Sequence, residues 1–136
     1  MNLVEKLLKM DREEFDGKKT KKIVSRVLSE TLGEKTMITL QSVGPQEVLD
    51  LSASGLDEEG RPIVTKTLQT NSMIVAAAVT DPPLKDADLM KHLGAATPAI
   101  AALKLFKGEV NSIAAEVNRM AGFNMEDVDL DEEIKN

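Results

Sequence analysis

The sequence predicts an α+β fold that is mostly helical, with two short N-terminal strands joined by a short helix and followed by a bundle of about five helices. Three observations carry that expectation. Runs of alternating, β-branched character, Lys19 to Val27 and Thr36 to Ser42, fall early in the chain. From Asp81 to Phe123, proline and glycine stand where short helices must start or stop. With no Trp, no Tyr and three Phe among 136 residues, the core must be aliphatic, and Ala at 95, 96, 99, 101, 102, 114, 115 and 121 lets helices approach closely.

Asn2 is placed to cap a first helix whose Leu3, Val4, Leu7 and Leu8 form one apolar stripe at helical spacing. Either the core or a partner must cover that stripe. Asp16-Gly17 gives a turn, and a strand follows from about Lys19 to Val27. There Ile23, Ser25 and Val27 share one face while Lys22, Val24 and Arg26 share the other, the pattern of a half-buried edge strand with a basic outer side. Ser29 is expected to cap one or two helical turns ending at Gly33, and Thr36 to Ser42 form the second strand.

Pro45 at a first helical position and Glu47 in the first turn start a helix with Val48 and Leu51 facing inward, which Gly55 ends. From Pro62 to Val79 the apolar residues Val64, Leu68, Val75 and Val79 recur near helical spacing and predict the central helix, with a strand ending near Val79 as the alternative. Asp81-Pro82-Pro83 stops it, because proline lacks the backbone donor and pushes the preceding residue toward extended geometry. Asp86 caps a short helix ending at Gly94. Thr97 with Pro98 opens the next, Gly108 separates it from a final helix striped by Val110, Ile113, Ala114 and Val117, and Gly122 closes that helix.

A chain of this length suits a single globular domain, residues 1–123, with a strand-containing half (1–60) and a helical half (61–123), followed by an acidic, flexible tail (124–136). Charge is uneven. The first 35 residues hold nine basic against seven acidic side chains, and the rest hold eight against sixteen, for a net charge of −6. Lys18, Lys19, Lys21, Lys22 and Arg26 form the basic patch, but no aromatic residues interleave and the chain as a whole is acidic, which argues against nucleic acid.

No cysteine is present, which excludes disulfides, thiolate metal sites and a cysteine nucleophile, and fits a cytoplasmic setting. Glu5, Lys6 and Lys9 interrupt the N-terminal apolar residues, so neither a signal core nor a membrane span is expected. The acidic run Asp57-Glu58-Glu59-Gly60 lacks the alternation of a calcium loop and reads as a turn. His92, at the end of a short helix, suits the helix dipole better than catalysis. Neither a Gly-rich phosphate loop, nor H-E-x-x-H, nor a G-x-S-x-G elbow occurs, so no enzyme chemistry, cofactor or metal is expected.

The order of marks Asp81, Pro82, Leu84, Asp86, Gly94, Pro98, Gly108, Glu109, Val110, Gly122 and Phe123 resembles the phage XkdN-like tail assembly chaperone family, and the segment from Lys19 to Leu51 resembles its strand, short helix, strand and helix. Lys107 stands where that family's pattern has a proline. The resemblance implies a non-enzymatic chaperone of long-tail morphogenesis that binds tape measure and tail tube proteins in the host cytoplasm and leaves before the particle is complete. Its apolar partner-binding side chains are expected at Leu3, Val4, Leu7 and Leu8, and at Ile100, Leu103, Phe106, Val110, Ile113 and Val117, with self-association as a further use of the N-terminal stripe. The competing expectation is a prophage regulator, since residues 98 to 121 superficially form a helix-turn-helix. Glu109 and Glu116 against Arg119 suit a DNA groove poorly.

Overall fold

The computed structural model describes residues 1–123; the acidic segment 124–136 expected to be a flexible tail lies outside the described residues. The order is α1 (Leu3–Leu8), α2 (Glu13–Asp16), β1 (Thr20–Val24), α3 (Arg26–Leu32), β2 (Met37–Gln41), α4 (Pro45–Ser52), α5 (Thr67–Ala78), β3 (Val79–Asp81), α6 (Ala87–Leu93), α7 (Pro98–Phe106) and α8 (Val110–Met120). Short 3₁₀ turns lead out of α4, into α5 and between α7 and α8. The fold is α+β and mostly helical, as the sequence predicts.

The sheet has three strands rather than two, in the order β1-β2-β3, antiparallel throughout. The sequence reading carried the central helix through to Val79, but α5 ends at Ala78 and Val79–Asp81 pairs with β2. Two physical reasons move that boundary. β-branched Val79 and then Asp81 pair with Leu40 and Thr39 on the open side of β2, and Pro82 then removes the next donor. The Asp81–Pro82 peptide bond is cis. The same helix also starts later than Pro62, because a 3₁₀ turn over Val64–Lys66 precedes it.

β1 is likewise shorter than Lys19 to Val27. It ends at Val24, and Ser25, not Ser29, caps α3, its hydroxyl accepting from the Leu28 amide at 3.1 Å. Ser29 sits inside the helix and accepts from the Thr36 amide at 2.9 Å. Glu109 explains the early start, since its carboxylate supplies acceptors to the hydroxyl of Ser25 and the amide of Arg26. Helix-opening amides lack intrahelical partners, so an acceptor delivered from elsewhere in the fold fixes where the helix begins.

Other marks act as expected. Asp86 and Thr97 accept from the amides of Leu89 and Ile100, Gly33 and Gly94 adopt left-handed geometry at helix ends, and Pro45 and Pro98 open α4 and α7. Lys107 has φ 52°, a value proline cannot reach, so the turn between α7 and α8 would not admit proline at this position.

Ile38 and Leu40 turn one face of β2 onto the core, where they meet Ile74, Val75 and Ala78 of α5, Leu84, and Val110, Ile113 and Val117 of α8. Residues from both sequence halves share this cluster, and Phe106 is fully buried within it. Ala101 and Ala102 have no exposed surface, which brings α7 close to its neighbours.

Candidate protein-binding surface

Helix α1 is built by its cap and little else. The Asn2 side chain accepts from the Glu5 amide at 2.8 Å, and none of the six helical residues is buried. Leu3, Val4, Leu7 and Leu8 are 69%, 64%, 44% and 79% exposed, so the stripe that periodicity defines lies uncovered by the described residues. A six-residue helix is too short to be stable on propensity alone, and its stripe costs free energy in water until something covers it.

A second apolar surface lies between α5 and α7. A groove of about 600 Å³ is lined by Leu68 and Met73 from α5 and by Ala99, Ile100 and Leu103 from α7. Thr65, Gln69, Ser72 and Thr97 complete the wall, so no charged side chain lines it. The Ser72 hydroxyl donates to the Leu68 carbonyl at 2.8 Å and is already satisfied. What the groove offers an incoming group is therefore shape and apolar area, with a flexible Met at its side.

Among the expected partner-binding residues, Ile100 and Leu103 are thus in the groove and Leu3, Val4, Leu7 and Leu8 are on the open helix. Phe106, Val110, Ile113 and Val117 are not at a surface. They are between 0% and 2% exposed and belong to the core. Periodicity correctly placed Val110, Ile113 and Val117 on one face of α8, but the core covers that face. Leu68 and Met73 were missed as binding residues, although Leu68 lay within the stripe predicted for the central helix and Met73 within the same segment.

The polar face of α8 is occupied as well. Glu116 accepts from Lys21 of β1 and from Arg119 at 2.7 Å, and these two bonds hold its carboxyl below the ordinary glutamate range, against the smaller opposing effect of burial. Glu109, just before the helix, turns its carboxylate toward α3. A helix with its apolar face in the core and its carboxylates pairing with β1 and α3 is poorly arranged to read a DNA groove. His92 is exposed in the last turn of α6. Among the described residues no group of His, Asp and Glu is arranged to hold a metal, and no helix is long and apolar enough to cross a membrane.

The described residues thus present an apolar helix that they leave uncovered and an uncharged groove, on an aliphatic α+β body. The chain belongs to the phage XkdN-like tail assembly chaperone family, whose pattern it matches over residues 4–135. Its fold is similar to that in the crystal structure of the protein YqbN, with a TM-score of 0.53 and 13% sequence identity over 77% of this chain and 87% of that one. At that identity the likeness is one of fold. No curated protein sequence matches the chain.

Proposed function

We propose that this chain is a non-enzymatic assembly chaperone that binds the tape measure protein and tail tube subunits in the bacterial cytoplasm while a long phage tail is built, and departs before the virion is finished. The observation that carries this reading is the uncharged apolar groove between α5 and α7. Family membership supports the process, and the groove supports an apolar mode of contact. A long amphipathic helix awaiting its final partners exposes apolar patches that self-associate. A groove lined by Leu68, Met73, Ile100 and Leu103 accepts side chains from one face of such a helix, and the open stripe of α1 adds a second apolar contact. The net charge of −6 then adds like-charge repulsion between the resulting complexes. In this reading residues 1–123 act as one globular unit.

Co-expression with candidate tape measure and tail tube proteins tests the proposal. Copurification and a larger soluble fraction of either partner are expected. Neither effect, with all proteins expressed, removes the reading.

A further inference from the structure

The two apolar surfaces that the described residues leave open differ in form. One protrudes, the stripe of α1, and the other is recessed, the groove between α5 and α7 with Leu68 and Ile100 exposed on its walls. Val4, Leu7 and Leu8 stand at i, i+3 and i+4, the spacing by which an amphipathic helix anchors itself in a groove. Charge favours the same match. The charged residues next in sequence to those lining the groove are Lys66 and Lys104, and neither meets a carboxylate among the described residues. The N-terminal arm, residues 1–16, carries five acidic against three basic side chains, and Glu5 borders the stripe one helical turn before Leu8.

Within one molecule the two surfaces lie toward opposite ends of α8. The arm joins the body at Phe15, which shares a cleft with Met120 and Ala121. Asn71, between Leu68 and Met73 on α5, donates instead to the side chain of Asn111 in the first turn of α8 at 2.8 Å. The helix rises about 14 Å between Asn111 and Met120. The stripe accordingly lies open and does not fill its own groove.

We infer that α1 of one copy docks its stripe in the α5–α7 groove of a second copy, with Glu5 toward the lysines at the rim. One such contact covers both open surfaces, whereas two stripes meeting face to face leave the groove empty. Helix and groove are different surfaces, so the contact is heterologous, and each copy keeps a free helix or groove through which to add another. A six-residue helix buries less than the roughly 800 Å² per partner of a standard interface, so the association is weak. It goes beyond the capture of tail proteins and needs none of them, but a tail protein that takes the groove competes with a neighbouring copy.

Sedimentation equilibrium of the full chain alone, without any tail protein, tests it. From about 10 μM to about 1 mM the average mass of wild type should rise past that of a dimer, while Leu8→Asp and Ile100→Asp, each shown to be folded by thermal melting, should stay near the monomer. An equimolar mixture of the two variants holds one intact helix and one intact groove, so it should regain association and stop at a dimer of one copy each. Monomeric wild type overturns the inference. So does a mixture that stays monomeric, or an Ile100→Asp protein that still associates, the mark of stripe against stripe. The absence of native cysteine permits an independent check. Oxidation of Leu8→Cys mixed with Ile100→Cys should give the mixed dimer about tenfold faster than Leu8→Cys mixed with Lys22→Cys, through its higher effective concentration. Equal rates, or a predominance of Leu8→Cys homodimers, overturn the inference.

Discussion

Glu109 accepts a hydrogen bond from the buried hydroxyl of Ser25 at 2.6 Å, across 84 positions of sequence, and its second oxygen accepts from the Arg26 amide at 2.7 Å. One carboxylate thereby ties the end of β1 and the start of α3 to the turn that opens α8. Ser25 in turn accepts from the Leu28 amide, so removing Glu109 disturbs a chain of donors and acceptors and not one contact.

Glu109→Ala should therefore cost about 1–3 kcal/mol, since it leaves a buried hydroxyl and a helix-opening amide without their acceptor. Glu109→Gln, which keeps one carbonyl oxygen, should cost less. Chemical denaturation of the three proteins checks this. A loss below about 0.5 kcal/mol for the alanine variant, the range of ordinary surface changes, would show that water replaces the carboxylate freely.

Glu116 sets an acid-side prediction. Its folded carboxyl is held below the ordinary value by Lys21 first and Arg119 second, so the folded state favours the ionised form. Stability from this group is fully present above the unfolded glutamate value and is lost as pH falls through the depressed folded value. Wild type should thus exceed Glu116→Gln in stability at neutral pH, and the gap should close on acidification. A gap independent of pH across that window would assign the effect to packing. High salt should shrink it, because the Lys21 side chain is 52% exposed.

What the sequence made legible, and what it hid, follows from the reach of each interaction. Caps and breakers such as Asp86, Gly94, Thr97 and Pro98 act within four residues, and the helices they bound appear where they were expected. Ser29 was the cap expected from local spacing, with Ser25 left in the strand; Glu109, far along the chain, moves the helix start to Ser25. The third strand was hidden similarly, since Val79 to Asp81 become a strand through pairing with β2. Periodicity showed which residues share a face but not which face is covered. It therefore treated the open stripe of α1 and the buried stripe of α8 alike.

That difference yields opposite expectations for two apolar residues. Leu8→Asp, on the open helix, should leave thermal stability within about 0.5 kcal/mol of wild type while weakening capture of the tail partner. Ile113→Ala, at 2% exposure, should cost about 2–5 kcal/mol and reduce capture only as far as it unfolds the protein. Thermal melts paired with pull-down at a temperature where both variants are folded separate the cases. A strong loss of stability in Leu8→Asp would show that α1 is packed in solution.

The groove is tested through Ile100, which is 40% exposed while its neighbours Ala101 and Ala102 are fully buried. Ile100→Asp places a charge in an otherwise uncharged apolar wall without removing a core contact, so the fold should persist and an apolar occupant should be rejected. Binding should fall at least about tenfold, equivalent to about 1.4 kcal/mol. Ala102→Leu separates groove chemistry from helix position, because the larger side chain has no space and should destabilise by about 1–3 kcal/mol. If Ile100→Asp binds the tail partner as wild type does, the groove is not the contact, and the open stripe of α1 must carry binding without it.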